Sequence, residues 1–166
     1  ALKYVKQQRV CLDIGSNIGQ WTRPLAKRFE SVVCFEPNPN FRECFKKNIQ
    51  EKNVLLWPYG LSDKQHKAKQ DFNSTVLQQE DGDIDCRTLD SFGLTNVDFV
   101  KIDVDGFEVP LLNGARETLT ENSPVINIEM KRDKRAVIVT KCESILKELG
   151  YKFKNRTKSD EVWLKS

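Results

Sequence analysis

Short apolar runs alternate along this chain with stretches whose apolar residues recur every three or four positions. Val10-Cys11-Leu12 opens the first run, a strand over about Val10 to Ile14. Trp21, Leu25 and Phe29 then fall on one face of a helix over about Gln20 to Phe29, with Pro24 tolerated within its first turn. Val32 to Phe35 reads as the second strand. Asn38-Pro39 reads as a helix cap followed by proline at the first helical position, and Phe41, Phe45 and Ile49 mark that helix's buried face. A third strand covers about Val54 to Pro58 and a fourth Val97 to Asp103. A short helix carrying Leu111, Leu112 and Ala115 follows, and then a fifth strand, Val125 to Glu129. Ile138, Cys142, Ile145 and Leu149 give a longer amphipathic helix that Gly150 stops. The last two runs, Tyr151 to Lys154 and Glu161 to Leu164, are too close for a crossover helix, so they pair as an antiparallel hairpin.

Such alternation predicts an α/β fold: a Rossmann-like, mostly parallel sheet with helices on both faces and an antiparallel hairpin at its C-terminal end. With 166 residues the chain suits a single domain over 1–166. The stretch from Lys64 to Asp85 departs from the pattern. It is basic first (Lys64, Lys67, Lys69) and acidic later (Glu80, Asp81, Asp83, Asp85), and reads either as a β-hairpin over the ligand face or as a solvated loop.

Composition narrows the function classes. Charged residues at 31% and hydrophobic ones at 39% describe a soluble globular chain. No apolar run is long enough to span a bilayer, so no membrane partner is expected. A net charge of +3 is too small to indicate nucleic acid by itself. The five cysteines are odd in number and form no C-x-x-C pair, which points to reduced thiols and a cytoplasmic setting. With one histidine and no cysteine cluster, no metal site is assigned.

The chemistry concentrates in Asp13-Ile14-Gly15-Ser16-Asn17-Ile18-Gly19, directly after the first strand, and in Glu36, which ends the second. A strand, a glycine turn, a helix and an acid about twenty residues on form a nucleoside-binding layout. A dinucleotide fingerprint needs glycine where this chain has Asn17, and a pyrophosphate would meet the Asp13 carboxylate. A ligand with an ammonium and a sulfonium would not be repelled, which points to S-adenosylmethionine (SAM) and methyl transfer. Gly15 and Gly19 let the backbone pass close to the methionine part, with Ser16 in the same loop. Asp13 attracts the methionyl ammonium, directly or through water, and Asn17 hydrogen-bonds the carboxylate tail. Glu36 accepts from both ribose hydroxyls. Pro37 and Asn38 border the adenine, and Leu61 and Ser62 contact it. Asp103, at the end of the fourth strand, lies at the switch point where such sheets bind ligands, placed to orient or deprotonate a hydroxyl. Asp105 and Glu108 bind a metal, position substrate or brace the turn at Gly106. Glu129 accepts the substrate proton or pairs at the surface, and Lys131 either stabilises a developing alkoxide or binds an anionic substrate.

Six segments in order carry a wider resemblance: the glycine loop above; Phe35-Glu36-Pro37-Asn38; Gly60-Leu61-Ser62-Asp63; Thr88-Leu89-Asp90; Asp98 through Glu108; and Leu112-Asn113-Gly114-Ala115. Over about Val10 to Glu129 the chain resembles the FkbM-type methyltransferases. The resemblance implies a class I methyltransferase domain with a seven-stranded sheet, using SAM to methylate a hydroxyl oxygen of a small-molecule or glycan acceptor. Two features depart from the family pattern: Asp105 stands where glutamate is usual, and only a few residues precede the first strand, leaving little N-terminal cap. Two other readings stand beside it. One is an RNA ribose 2′-O-methyltransferase built on Asp103, Lys131, Glu161 and Lys3 or Lys6, with basic stretches at Lys131, Arg132, Lys134 and Arg135 and at Lys152, Lys154, Arg156 and Lys158. The other is a non-catalytic SAM-binding module.

Overall fold

The structure, a computed structural model, describes residues 1–70, 77–78 and 82–165. Seven strands form the main sheet: β1 (Val10–Ile14), β2 (Ser31–Phe35), β3 (Val54–Trp57), β8 (Val97–Ile102), β9 (Val125–Glu129), β10 (Tyr151–Thr157) and β11 (Asp160–Lys165). Their order is β10-β11-β9-β8-β1-β2-β3. The five strands from β9 to β3 run parallel, whereas β11 pairs antiparallel with both β9 and β10. The order reverses between β1 and β8, so their C-terminal ends form the switch point.

Alternate strand residues supply two cores. On one face Cys11, Val32, Cys34 and Phe99 pack with Leu25, Ala26 and Phe29 from α1 (Thr22–Ala26) and the segment after it, and with Phe45 and Ile49 from α2 (Pro39–Asn48) and its C-terminal end. On the other, Leu12, Ile14, Val33, Phe35, Val100, Ile102, Ile126 and Ile128 pack against α3 (Glu108–Asn113), α4 (Arg116–Asn122) and α5 (Arg132–Glu148). Helices therefore cover both faces. At the opposite end of the strands, Arg9 grips Asp98 with its backbone N–H (2.8 Å) and its guanidinium (2.6 Å), fixing β1 to β8.

Several local expectations meet physical limits. Helix α1 has five residues rather than ten, so Trp21 precedes it and is 43% exposed instead of joining Leu25 and Phe29 in the core. Pro24 is its third residue, where no intrahelical N–H is required. The segment carrying Leu111, Leu112 and Ala115 makes two helices, α3 and α4, divided at Gly114. A Cβ on Gly114 would lie 1.9 Å from the Ser62 carbonyl oxygen, so this break lets the Ser62 loop approach. In α5 the buried residues are Val139, Cys142, Ile145 and Leu146, with Ile138 and Leu149 half-buried, and Arg135 kinks its first turn. Asn38 caps α2, its Oδ1 accepting from the N–H of Asn40 at 2.9 Å.

The Lys64–Asp85 stretch contributes a small second sheet, with β4 (Gly60–Leu61), β7 (Ile84–Arg87), β5 (His66–Gln70) and β6 (Leu77–Gln78) in that order. Its Ala68, Ile84 and Cys86 pack against Phe107 and Val104, which follow β8, so the sheet borders the switch point. Glu80 and Asp81 lie outside the described residues. All five cysteines are free, four of them buried. No described helix is long and apolar enough to cross a membrane.

Candidate functional site

A cavity opens at the C-terminal ends of β1, β2 and β8. Gly15, Asn17, Glu36, Pro37, Leu61 and Asp103 line it, joined by Asp105, and Phe35, Phe41, Tyr59 and Phe107 add apolar wall. Gly15 adopts φ +79°, and a Cβ there would lie 1.9 Å from the Asp103 carbonyl oxygen, so only glycine lets the β1 loop close onto the end of β8. Asn17 takes the left-handed conformation (φ 49°), which asparagine tolerates better than most residues, and its own Oδ1 accepts from the Ile18 N–H at 2.8 Å.

Glu36 is the organising acid. One carboxylate oxygen accepts from the Asn17 N–H (2.9 Å) and the other from the Asn38 N–H (2.8 Å), tying the two loops together. A carboxylate has about four acceptor sites, so one on each oxygen remains for a vicinal diol. Burial raises the Glu36 pKa above the ordinary glutamate value, opposed by those two N–H donors.

Other expected binding residues lie behind the wall. Asp13 is buried and turned toward α1, accepting from the Thr22 hydroxyl at 2.6 Å. Its pKa rises to about 6 through desolvation, with the Thr22 hydrogen bond and the Lys101 charge pulling it back. Ser16 is buried beside Gly15 and Asn17, and its Oγ has no partner among the described residues. Gly19 packs against Phe45 and Ile49. The Asn38 side chain is spent on capping α2, and Ser62 is buried, donating to Asp63 at 3.1 Å.

Four charged groups gather at the other end of the cavity. Carboxylate oxygens of Asp103, Asp105 and Glu129 lie within 4.8 Å of one another. The Lys131 ammonium stands among them, 2.6 Å from Asp105 and 2.8 Å from Glu129, and Arg135 reaches Asp105 at 3.6 Å. Burial pulls the Lys131 pKa down, but its bonds to Asp105 and Glu129 hold it above the usual lysine range. Asp103 is pushed up to about 6, first by burial and then by the negative charges of Glu129 and Asp105, while Lys101 opposes the rise. Glu108 is buried and braces the turn that precedes it, accepting from the Gly106 N–H at 3.0 Å.

Lys101, which no sequence motif singled out, ties the two ends together. It is 1% exposed in the middle of the sheet, beside Asp13 in register on β1 and Asn127 on β9. Its ammonium is 3.4 Å from Asp103 and 3.8 Å from Asp160. A lysine inside the apolar run Val97–Ile102 was the available signal: such a charge is buried only when paired. Tyr59 is a second addition. The Arg87 guanidinium sits 4.2 Å from its ring centre and Phe92 packs beside it, holding the aromatic wall.

Two members considered for an RNA ribose 2′-O-methylation set, Glu161 and Lys6, are engaged or placed elsewhere. Glu161 is wholly buried and engaged by Arg132 (2.6 Å) and Arg156 (2.9 Å). Lys6 lines a groove with Asp98 and Val125, at the opposite ends of the parallel strands.

Comparison with known proteins places these features. Residues 13–153 match the methyltransferase FkbM domain. No curated protein matches the chain. Among solved structures, methyltransferase FkbM from Methylobacillus flagellatus superposes with a TM-score of 0.70 at 19% identity, over 95% of this chain and 43% of that one. This chain thus spans less than half of that protein. Precorrin-6y C5,15-methyltransferase from Geobacter metallireducens gives 0.64 at 16% identity, over 99% and 85% of the two chains. SMU.1697c of Streptococcus mutans, in complex with S-adenosylhomocysteine (SAH), gives 0.63 at 12% identity, over 97% and 89%. The fold is that of class I methyltransferases, and the SAH held by SMU.1697c makes SAM the ligand to compare with this cavity. The cavity's chemistry fits it: a buried Ser16 hydroxyl without a partner among the described residues, a glycine where any side chain would fill the cradle, and a carboxylate with room for a diol.

Proposed function

This chain belongs to the FkbM methyltransferase family, and from that premise we propose that it methylates a hydroxyl oxygen of a small-molecule or sugar-like acceptor. The observation that supports this is Asp103, a carboxyl with a raised pKa at the cavity's polar end, beside Glu129 and Lys131. SAM supplies an already activated methyl group on a sulfonium. The protein's tasks are to hold donor and acceptor in line and to receive a proton. Glu36 holds the ribose. Gly15 and Asn17 cradle the methionine portion, with Ser16 beneath it. Asp13 acts from behind the wall, as a negative charge under the loop rather than as a direct contact.

Asp103 is the proton acceptor. A carboxylate with a pKa near 6 is ionised at neutral pH yet more basic than an ordinary aspartate, the compromise a general base requires. Glu129 is committed to Lys131 and supports Asp103 electrostatically. Lys131 neutralises Asp105 and Glu129, which allows three carboxylates to share one corner. Five free thiols support a cytoplasmic setting.

Incubation with 13C-methyl SAM and a panel of hydroxyl and amine acceptors tests the reaction type, because a methoxy carbon resonates apart from an N-methyl carbon. Methoxy product is expected; N-methyl product alone would overturn the reading. The pH profile of kcat/KM is expected to rise through about pH 6 as Asp103 loses its proton. Lys101 lowers the Asp103 pKa, so Lys101→Met should move that limb upward by about one pH unit. A limb that stays in place would remove Asp103 as the titrating base.

A further inference from the structure

Beside the Asp103 corner lies a groove of about 340 Å³, between the start of α5 and the turn joining β10 to β11. Its walls carry Lys131, Arg132, Lys134, Arg156 and Lys158 against one acid, Asp133. These cations come from two stretches far apart in sequence. The antiparallel return of β11 on β9 brings them together: Asp160 pairs with Glu129, and the Met130 N–H donates to the Ser159 carbonyl at 2.7 Å.

The groove is ordered from below. The buried Glu161 carboxylate holds the guanidiniums of Arg132 and Arg156, and Glu143 engages Arg132 as well. Lys131 turns its ammonium to Asp105 and Glu129. Lys134 and Lys158 are exposed and have no acidic partner among the described residues. The acids thus lie behind or beside a cationic surface. At a distance the opposite charges largely cancel, whereas at contact the lysines and guanidinium edges dominate. Such a surface holds a compact anion by direct contact and does little to steer a long polyanion.

We infer that this groove binds a phosphate monoester carried by the acceptor, so the substrate class is a hydroxyl-bearing small-molecule phosphate. The inference rests on the O-methylation reading above. A phosphate monoester carries about −1.5 to −2 charge with three acceptor oxygens at neutral pH, matching two free ammonium groups and two fixed guanidiniums. Lys131 links the two regions, for it lines the groove while its ammonium contacts Asp105 on the cavity wall. An acceptor anchored by its phosphate therefore needs to span one lysine side chain to bring a hydroxyl to Asp103. Anchoring at that distance confines the hydroxyl near the methyl donor.

Titration of 15N-labelled, SAH-loaded protein with glucose 6-phosphate and with glucose, as probes, tests the inference. The sugar phosphate is expected to bind at least about tenfold more tightly than glucose and to shift the amides of Lys134, Lys158 and Ser159. The double substitution Lys134→Ala, Lys158→Ala, at two exposed positions, should cost about tenfold in sugar-phosphate affinity and leave SAH affinity unchanged. Equal binding of the two sugars, or a double variant that binds glucose 6-phosphate as well as the parent, would overturn the inference. Tighter binding of a short single-stranded RNA, falling steeply with salt, would assign the groove to nucleic acid instead. Repeating the titration without SAH reads the groove and the methyl-donor site separately.

Discussion

Glu36→Ala is expected to weaken SAH binding by about 100-fold in calorimetry, close to 3 kcal/mol. The carboxylate is buried at the cavity wall, and the substitution removes both oxygens proposed to accept from the ribose hydroxyls. Hydrogen bonds to a charged group contribute about 1.5–3 kcal/mol each, so losing two outweighs any gain from relieving the desolvated charge. The substitution also frees the N–H groups of Asn17 and Asn38, which loosens the glycine loop. Glu36→Gln separates these effects. It keeps one acceptor oxygen and the side-chain volume, so an intermediate loss of about tenfold is expected. A Glu36→Ala protein that melts like the parent and binds SAH equally well would remove Glu36 from the donor site.

Asp103→Asn should leave SAH affinity within about threefold while lowering kcat by about 100-fold or more. Asparagine preserves the shape and can still orient a hydroxyl, but it cannot take the proton. Burial and the neighbouring charges of Glu129 and Asp105 raise the Asp103 pKa, so this substitution also removes a repulsive charge and is expected to leave the fold intact. Single-turnover kinetics with saturating SAM measures the effect without contribution from product release. Turnover preserved in Asp103→Asn would move the base to another residue.

Much of this architecture is written locally in the chain. Apolar runs of strand length, Asn38-Pro39 and Gly150 mark elements whose boundaries depend on the backbone itself, and the structure places them within a few residues. That Glu36, Gly15 and Asn17 line one cavity was legible because their spacing after a strand leaves few other arrangements. Asp13 shows where spacing stops helping. Its position in the loop motif suggests ligand contact, but strand alternation turns the side chain toward Thr22. Trp21 was misplaced because a periodic pattern does not show that α1 ends after five residues. The corner containing Asp103, Asp105, Glu129 and Lys131 joins two strand ends, and the groove joins segments more than twenty residues apart. Asp103, Glu129 and Lys131 could be grouped as strand ends of one parallel sheet, but the ion pair from Lys131 to Asp105 and the groove depend on sheet order and on the antiparallel return of β11.

A crystal structure of the SAH complex tests the donor site most directly. The ribose hydroxyls should lie within hydrogen-bonding distance of both Glu36 oxygens, with the sulfur facing Asp103. Density for SAH outside this cavity, or a ribose turned away from Glu36, would contradict the assignment.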